Sequence, residues 1–278
     1  MNFLRSLFYS IYWVLKMAVH FYQLQHFNRL NGLEKKRSNS VLRILGNGKS
    51  LNEVIDRLES NLVDYMVVNR HILSDSYRLL KPKYYVIVDP HFFDHPEGLE
   101  ILEKIKRETV WPMILFIPSW WKVARKVRRA FAGSSTITVM PFNAHEYRGF
   151  NPVKYFLYRH NLSCPKIQNV LAGAIYNGIC MRYSTIELYG VEHSWTKFLS
   201  VNGSNEVCLE NPHFFDKKEA RPKTWKELFH EDKRLYEVLR TYAEMFEAYL
   251  ELEEFSKQMQ VEVLNCTRGS FIDAFKRR

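Results

Sequence analysis

The stretch ILGNGKSL, residues 44–51, decides how the rest of the sequence is interpreted. A P-loop needs a glycine five positions before Gly48, where this sequence has Arg43. A dinucleotide-binding loop needs a third glycine where Leu51 stands. Neither motif is present. The stretch instead predicts a strand, a glycine turn and a helix capped by Ser50, an arrangement that can bring backbone N–H groups to an anion.

The sequence around this turn alternates β-rich runs with helical patterns. We predict strands near 41–46, 65–69, 84–89, 113–118, 137–141 and 185–190, and helices near 51–61, 97–107, 120–131, 170–182 and 231–258. This alternation predicts an α/β, Rossmann-like domain over residues 39–278, with a mostly parallel sheet and helices on both faces. Residues 191–230 are expected to form a lid or acceptor segment within it.

The first 38 residues form a separate predicted unit. Large apolar residues recur at helical spacing over residues 3–25, and Arg5, Tyr9, Tyr12 and Lys16 share one narrow face. The uncharged stretch before Lys16 is too short to span a bilayer, and no small-residue cleavage site follows it. We therefore predict an amphipathic helix that lies on a membrane surface, followed by a basic linker. An amphipathic helix packed on the domain, or in an oligomer, is the alternative.

Composition restricts the function classes. The 278 residues carry a formal net charge of +10, which favours a polyanion, an anionic membrane or a phosphorylated substrate. No nucleic-acid-binding motif is present, so we expect no nucleic-acid partner. The four cysteines lack CxxC spacing, which favours a reducing compartment over a disulfide framework or a zinc ribbon.

Ligands of parallel α/β sheets bind beyond the carboxyl ends of the strands, so the residues there are the candidate site. Asn69 and Asp89 end neighbouring predicted strands, where they either contact a base or ribose or simply form turns. The next candidates, Glu192, His193, Ser194 and Trp195, follow the strand that ends in Gly190, and His213 lies about twenty residues further on. A histidine can take a proton from an attacking hydroxyl, although a structural hydrogen bond is the commoner role. Asp89, His91, Asp94 and His95 match no familiar metal-site spacing, so we predict no metal.

Taken in order, these motifs resemble a known family. The turn ILGNGKSL, the strand ending in Asn69, YYVIVDP, AGAIYNGICMRYSTIELYGVEHSW, His213 and VEVLNCTRGSFIDAF resemble the bacterial sialyltransferases that modify lipooligosaccharide. The resemblance covers about residues 41–275. It implies that a CMP-activated sugar contacts Gly46, Asn47, Gly48, Ser50 and Asn69, that Ala172 and Gly173 contribute a small-residue turn, and that His213 is the general base. Asp89 stands where the family has an asparagine, and Ser194 and Trp195 stand where it has tyrosines near the leaving phosphate.

The resemblance implies an inverting, metal-independent glycosyltransferase that needs no cofactor. It would move sialic acid or a related sugar from a CMP-activated donor to a glycan or lipid-linked glycan. We expect it on the cytoplasmic face of the inner membrane, as a peripheral protein that is either a monomer or a homo-oligomer. One alternative is a diphosphokinase-like enzyme that uses Mg-ATP, with Asp89 and Glu192 as metal ligands. Another is a non-catalytic, membrane-attached protein of polysaccharide assembly.

Overall fold

The computed structural model describes residues 3–19, 39–210 and 222–278. The helices are α1 (Phe3–Val19), α2 (Ser76–Leu80), α3 (His91–Asp94), α4 (Pro96–Glu108), α5 (Trp121–Ala130), α6 (Asn151–Arg159), α7 (Val170–Cys180), α8 (Trp225–Phe229) and α9 (Leu235–Gln258). The strands are β1 (Val41–Leu45), β2 (Asp64–Val68), β3 (Tyr84–Val86), β4 (Met113–Pro118), β5 (Ile137–Phe142), β6 (Thr185–Tyr189), β7 (Leu199–Val201), β8 (Val207–Leu209), β9 (Lys223–Thr224), β10 (Glu262–Asn265) and β11 (Lys276–Arg277).

Eight strands form one parallel sheet in the order β11–β10–β6–β1–β2–β3–β4–β5. The register places Ile44 of β1 between Met66 of β2 and Leu188 of β6, and all three are fully buried. Such continuous burial of apolar strands is typical of a parallel sheet covered on both faces. The predicted fold class is confirmed.

The strand order reverses once, and the reversal lies beside β1. Strands β2 to β5 extend in sequence order from one side of β1, whereas β6 pairs with the other side. Two neighbouring strand ends whose chains leave in opposite directions open a crevice, and ligands of doubly wound sheets bind in that crevice. The turn after β1 and the turn after β6 therefore flank the switch point.

The connections from β1 to β5 and the later helices cover opposite faces of the sheet. One core cluster joins Leu51, Tyr77, Ile105 and Val127 from the early connections. The other joins α7 and α9 to the opposite face, through residues such as Ile175. All eleven residues of α7 are buried, which explains why this helix is apolar all round.

One predicted helix is wrong. Residues 51–61 do not form an α-helix but two 3₁₀ segments, Lys49–Glu53 and Ile55–Arg57. Gly48 is the N-cap residue of the first segment, and no side chain caps it, so Ser50 does not have the capping role that we predicted. The β-branched pair Val54 and Ile55 lies where the two segments meet, and such residues disfavour a continuous helix.

Helix α1 packs on the domain through Ser10, Trp13 and Phe3. Ser10 Oγ lies 2.7 Å from the hydroxyl oxygen of Tyr147, and the Trp13 ring packs edge-on against Tyr147 at 5.6 Å. Phe3 contacts Phe150 at 5.4 Å. The packing explains Gly149, because a Cβ there would come within 2.3 Å of Ser10 Oγ. Within the described residues, no helix is long and apolar enough to cross a bilayer.

The segment 191–230 carries its own small sheet. Strands β7, β8 and β9 pair antiparallel, and α8 follows β9 directly. Val207, Leu209 and Trp225 pack there against Val238 and Tyr242 of α9. His213 and the basic linker over residues 20–38 lie outside the described residues. The roles predicted for this segment and for the linker stay predictions.

Candidate functional site

The turns that follow β1 and β6 touch each other through their backbones. Gly46 N–H donates to Tyr189 O at 2.8 Å, and Gly48 N–H donates to Gly190 O at 2.9 Å. A Cβ on Gly46 would lie 2.2 Å from Gly190 O, so any larger residue would separate the turns. Gly190 itself has a φ of +64°, in the region that glycine adopts most readily. The predicted glycine turn is therefore half of a joint between two strand ends.

The side chain of Glu192 occupies the centre of this joint. Its Oε1 accepts a hydrogen bond of 2.5 Å from Ser50 N–H, at the start of the 3₁₀ segment. A Cβ on Gly48 would lie 1.4 Å from Glu192 Oε2, so the glycine makes room for the carboxylate. The N–H groups of Gly46, Gly48 and Ser50 all have partners within the protein. In this conformation the turn therefore binds the carboxylate of Glu192 in place of a ligand anion.

Four buried polar atoms around the joint lack a hydrogen-bond partner in the described part of the chain. They are Asn47 Oδ1, Ser50 Oγ, Asn69 Oδ1 and Glu192 Oε2. Buried polar atoms are paired in the great majority of cases, and leaving one unpaired costs about 1–3 kcal/mol. Three of the four atoms are pure hydrogen-bond acceptors, and the fourth is a hydroxyl. The group of residues is therefore suited to a ligand that donates hydrogen bonds.

The two asparagines are held in place by backbone contacts. Asn47 Nδ2 donates to Val68 O at 3.2 Å, which links the end of β1 to the end of β2. Asn69 has a φ of +49°, and its carbonyl accepts a hydrogen bond of 2.6 Å from the Tyr85 hydroxyl. Asparagine tolerates this left-handed conformation better than most residues. Both side-chain oxygens are thus presented by rigid strand ends.

His193 lies next to Glu192 and connects the joint to helix α7. Its Nδ1 is 3.0 Å from the hydroxyl oxygen of Tyr249, which in turn donates to Asn169 Oδ1 at 3.1 Å. Asn169 caps α7 by accepting hydrogen bonds from Leu171 N–H and Ala172 N–H. Burial lowers the pKa of His193 to about 3, so the imidazole is neutral at pH 7.

The structure also places four other predicted site residues. Ala172 and Gly173 lie buried in the first turn of α7, where the cap already uses the Ala172 N–H. Ser194 precedes the 3₁₀ segment Trp195–Phe198, and the Trp195 ring packs on His193 at 4.5 Å.

Asp89 follows β3, the strand next to β2, and is exposed. Its Oδ1 accepts a hydrogen bond of 2.9 Å from His91 N–H. Beside it the fold gathers His91, His95 and His230, whose side-chain nitrogens lie within 4.8 Å of one another. Within the described residues this is the one group of histidine, cysteine and acidic side chains close enough to hold a metal ion.

Comparison with known proteins places the structure near two solved enzymes. No protein-family model and no curated protein matches the sequence. The structure is similar to the sialyltransferase CstII from Campylobacter jejuni in complex with the substrate analogue CMP-3FNeuAc, with a TM-score of 0.47, 17% identity, and coverage of 86% of this chain and 85% of that one. It is also similar to the monofunctional alpha-2,3-sialyltransferase Cst-I from the same organism, with a TM-score of 0.49, 14% identity, and coverage of 87% and 83%.

Both of these similar structures are sialyltransferases.

Two features of the site were missed from the sequence. The contact between Glu192 and Ser50 joins residues far apart in the chain, and no local sequence pattern predicts it. The bond from Asn169 to Tyr249 was missed as well. Asn169 precedes an apolar run as a helix cap does, so its capping role could have been predicted from that position.

The packing of Glu192 on Gly48 predicts coupled stabilities. Gly48 has an extended backbone, with φ −76° and ψ 155°, which any residue can adopt. Gly48→Ala should therefore lower the free energy of unfolding only by displacing the carboxylate, at about 1–3 kcal/mol. In a Glu192→Ala background, the same change should cost less than about 0.5 kcal/mol. Urea unfolding of the four proteins measures this coupling.

Gly46→Ala is the matched control for that cycle. Its new Cβ would meet the backbone oxygen of Gly190, which Glu192→Ala does not remove. Its cost should therefore be the same in both backgrounds. If Gly48→Ala also costs the same in both, the carboxylate is not what the glycine accommodates.

Proposed function

We propose that this protein is a glycosyltransferase that binds a CMP-activated sugar at the joint between β1 and β6 and transfers the sugar to a glycan acceptor. The observation that carries the proposal is a set of four buried polar atoms at the switch point of the sheet, which have no hydrogen-bond partner among the described residues. The sequence motifs that resemble the sialyltransferases lie at the same strand ends. Sialic acid or a related sugar is the donor group that this resemblance favours.

The chemistry of the unpaired atoms suits a nucleoside. Ribose hydroxyls and the exocyclic amino group of cytosine are hydrogen-bond donors, and Asn47 Oδ1, Asn69 Oδ1 and Glu192 Oε2 can accept from them. In our proposal the two asparagines and Glu192 hold the nucleoside, and Ser50 Oγ contributes a hydroxyl that can donate or accept. Recognition of the nucleoside thus uses acceptors that the protein leaves unpaired.

Groups other than the backbone N–H groups of the glycine turn must bind the phosphate. The N–H groups of Gly46, Gly48 and Ser50 are already paired, so they do not face a phosphate in this conformation. Lys49 is exposed at the first position of the 3₁₀ segment and supplies positive charge beside the turn. Alternatively, Glu192 turns away and frees Ser50 N–H for the phosphate. In either case the charge is stabilised without a metal ion.

The transfer step is a single displacement. The acceptor hydroxyl attacks the anomeric carbon, the bond from that carbon to the phosphate oxygen breaks, and CMP leaves with the bonding electrons. A single displacement inverts the anomeric configuration. We propose that His213 takes the proton from the attacking hydroxyl as general base. His193 is neutral and close to the joint, but its pKa of about 3 makes it a weak base, and we assign it to positioning through Tyr249.

We further propose that α1 attaches the protein to an anionic membrane surface. Viewed down its axis, the helix has three arcs. Ser6, Ser10, Trp13 and Met17 form the arc that faces the domain, and Tyr9, Tyr12, Arg5 and Lys16 form a second one. The third arc holds large apolar side chains that are 39–70% exposed: Phe3, Leu4, Leu7, Phe8, Ile11, Val14 and Leu15.

The arrangement of these arcs favours lipid over another protein surface. Aromatic and basic side chains flank the apolar arc, as they do in helices that lie at the level of lipid headgroups. The net charge of +10 complements anionic lipid. On α6, Val153 and Phe156 are also exposed. This helix begins directly after Phe150, which Phe3 of α1 contacts. The cysteines in the structure are free thiols, which fits a cytoplasmic membrane face.

Nucleotide binding tests the proposed site. CMP should raise the Tm without added metal. Stabilisation only by ATP with Mg²⁺ would support the diphosphokinase instead, and no response to CMP, CDP, UDP, GDP or ATP would support a non-catalytic protein.

Asn69→Gly removes the acceptor while keeping the left-handed backbone unstrained, and it should weaken CMP binding about 3–10-fold in calorimetry. Asn39→Gly is the matched control, because Asn39 has a φ of +68° but precedes β1 at the opposite edge. Equal effects of the two variants would contradict the assignment.

Replacement of His213 tests the chemical step. His213→Ala should abolish transfer from CMP-sialic acid and leave CMP binding within about 2-fold of wild type, since the base acts on the acceptor hydroxyl. His160→Ala is the control, because His160 is exposed at the end of α6. Full transfer by His213→Ala would remove this residue from the mechanism. Loss of transfer in His193→Ala alone would make His193 the base.

Vesicle flotation tests the membrane surface. The protein should float with vesicles that contain anionic phospholipid, and Leu4→Glu/Phe8→Glu should abolish flotation by placing charges in the apolar arc. Leu62→Glu is the matched control, since Leu62 is 92% exposed on the loop before β2. If the wild type does not float and sedimentation shows a dimer that the double variant loses, a second copy covers this arc instead.

A further inference from the structure

Three histidines from two distant parts of the chain meet beside the carboxyl edge of the sheet. His91 begins α3 and His95 follows it, whereas His230 ends α8, some 135 residues later in the chain. The centroids of the three rings form a triangle with sides of 4.5, 5.3 and 6.0 Å. No ring is therefore sandwiched between the other two, and one nitrogen of each side chain lies within 4.8 Å of one nitrogen of each of the others.

We propose that His91, His95 and His230 form a binding site for a divalent transition-metal ion of the Zn²⁺ type. Imidazole nitrogen is a favoured ligand for such ions, and three histidines with one open position are a known zinc arrangement. In a tetrahedral site with Zn–N bonds of about 2.0–2.1 Å, the ligand nitrogens lie about 3.4 Å apart. Because the rings are nearly parallel, with interplanar angles of 9–16°, the side chains must turn as well as approach before their lone pairs point at one ion. The exposure of His95 and His230 allows this movement.

A second observation points to a ligand here. His91 Nε2 is buried and has no hydrogen-bond partner in the described part of the chain. The carboxylate of Glu97 is close by, with its Oε2 3.8 Å from this nitrogen. That distance is too long for a hydrogen bond, but the carboxylate can supply a fourth ligand or orient a bound water. Glu97 also pairs with Arg70 at 3.5 Å, next to Asn69 at the end of β2.

The metal would join two parts of the fold. His91 and His95 belong to the connection that follows β3, whereas His230 is the left-handed C-cap of α8, with φ 59°. An ion bound by all three would hold the segment with β7, β8, β9 and α8 to the edge of the parallel sheet. The ion would stabilise this contact and would take no part in the transfer, which we propose to be metal-independent. Such a site differs from the absence of metal expected from sequence, since the third ligand comes from a remote segment.

Zinc binding by the full chain tests the site. The EDTA-treated protein should bind one tightly held Zn²⁺ in competition with a chromophoric chelator, and Co²⁺ should give the absorption bands of a tetrahedral complex. Saturating Zn²⁺ should raise the Tm by about 5 °C, and Mg²⁺ should not, because it prefers oxygen ligands. His95→Ala and His230→Ala should each weaken this Zn²⁺ by more than the about 10–100-fold that loss of an outer-shell partner costs.

His160→Ala is the matched control, because His160 is an exposed histidine outside the cluster. It should keep the stoichiometry, the affinity and the Tm shift of the wild type. A wild type that binds no Zn²⁺ overturns the proposal. So does a His95→Ala/His230→Ala variant that still binds one Zn²⁺ with wild-type affinity, since the ion then belongs to other residues. Both results are independent of nucleotide binding and of transfer.

Discussion

The backbone contact between Gly46 and Gly190 is the constraint on which the site depends. It brings the ends of β1 and β6 so close that a Cβ on Gly46 would lie 2.2 Å from Gly190 O. The next residues along each turn then meet as well, and the carboxylate of Glu192 lies over Gly48 and bonds to Ser50 N–H. The strand order reverses at the same place, so the crevice of the sheet and the joint coincide.

The site concentrates features that cost stability. Among the described residues, four buried polar atoms at the joint have no hydrogen-bond partner, Asn69 has a left-handed backbone, and His193 is a half-buried, neutral imidazole. Each unpaired atom costs about 1–3 kcal/mol, which the two large cores on either face of the sheet must offset. Sequences agree with their folds at most positions, and exceptions of this kind concentrate where a ligand binds.

The sequence predicted the features that depend on local pattern. The apolar runs that became β1 to β6 have their period and length in the sequence itself, and so does the wholly buried helix α7. The strand ends could be assigned to one edge because parallel strands point the same way. The sequence could not show which side chains satisfy which backbone groups. The carboxylate of Glu192 binds Ser50 N–H, where we expected a ligand anion, and His230 lies beside His91 and His95. Both contacts join residues more than 130 positions apart in the chain.

A crystal structure of the protein with CMP tests the central claim most directly. The account predicts that the nucleoside lies at the joint between β1 and β6, with ribose hydroxyls or the cytosine amino group within hydrogen-bond distance of Asn47 Oδ1 and Asn69 Oδ1. It also predicts that either Glu192 accepts a hydrogen bond from the ligand or its carboxylate has left Ser50 N–H. CMP bound elsewhere, with both asparagine oxygens still unpaired, would contradict the account.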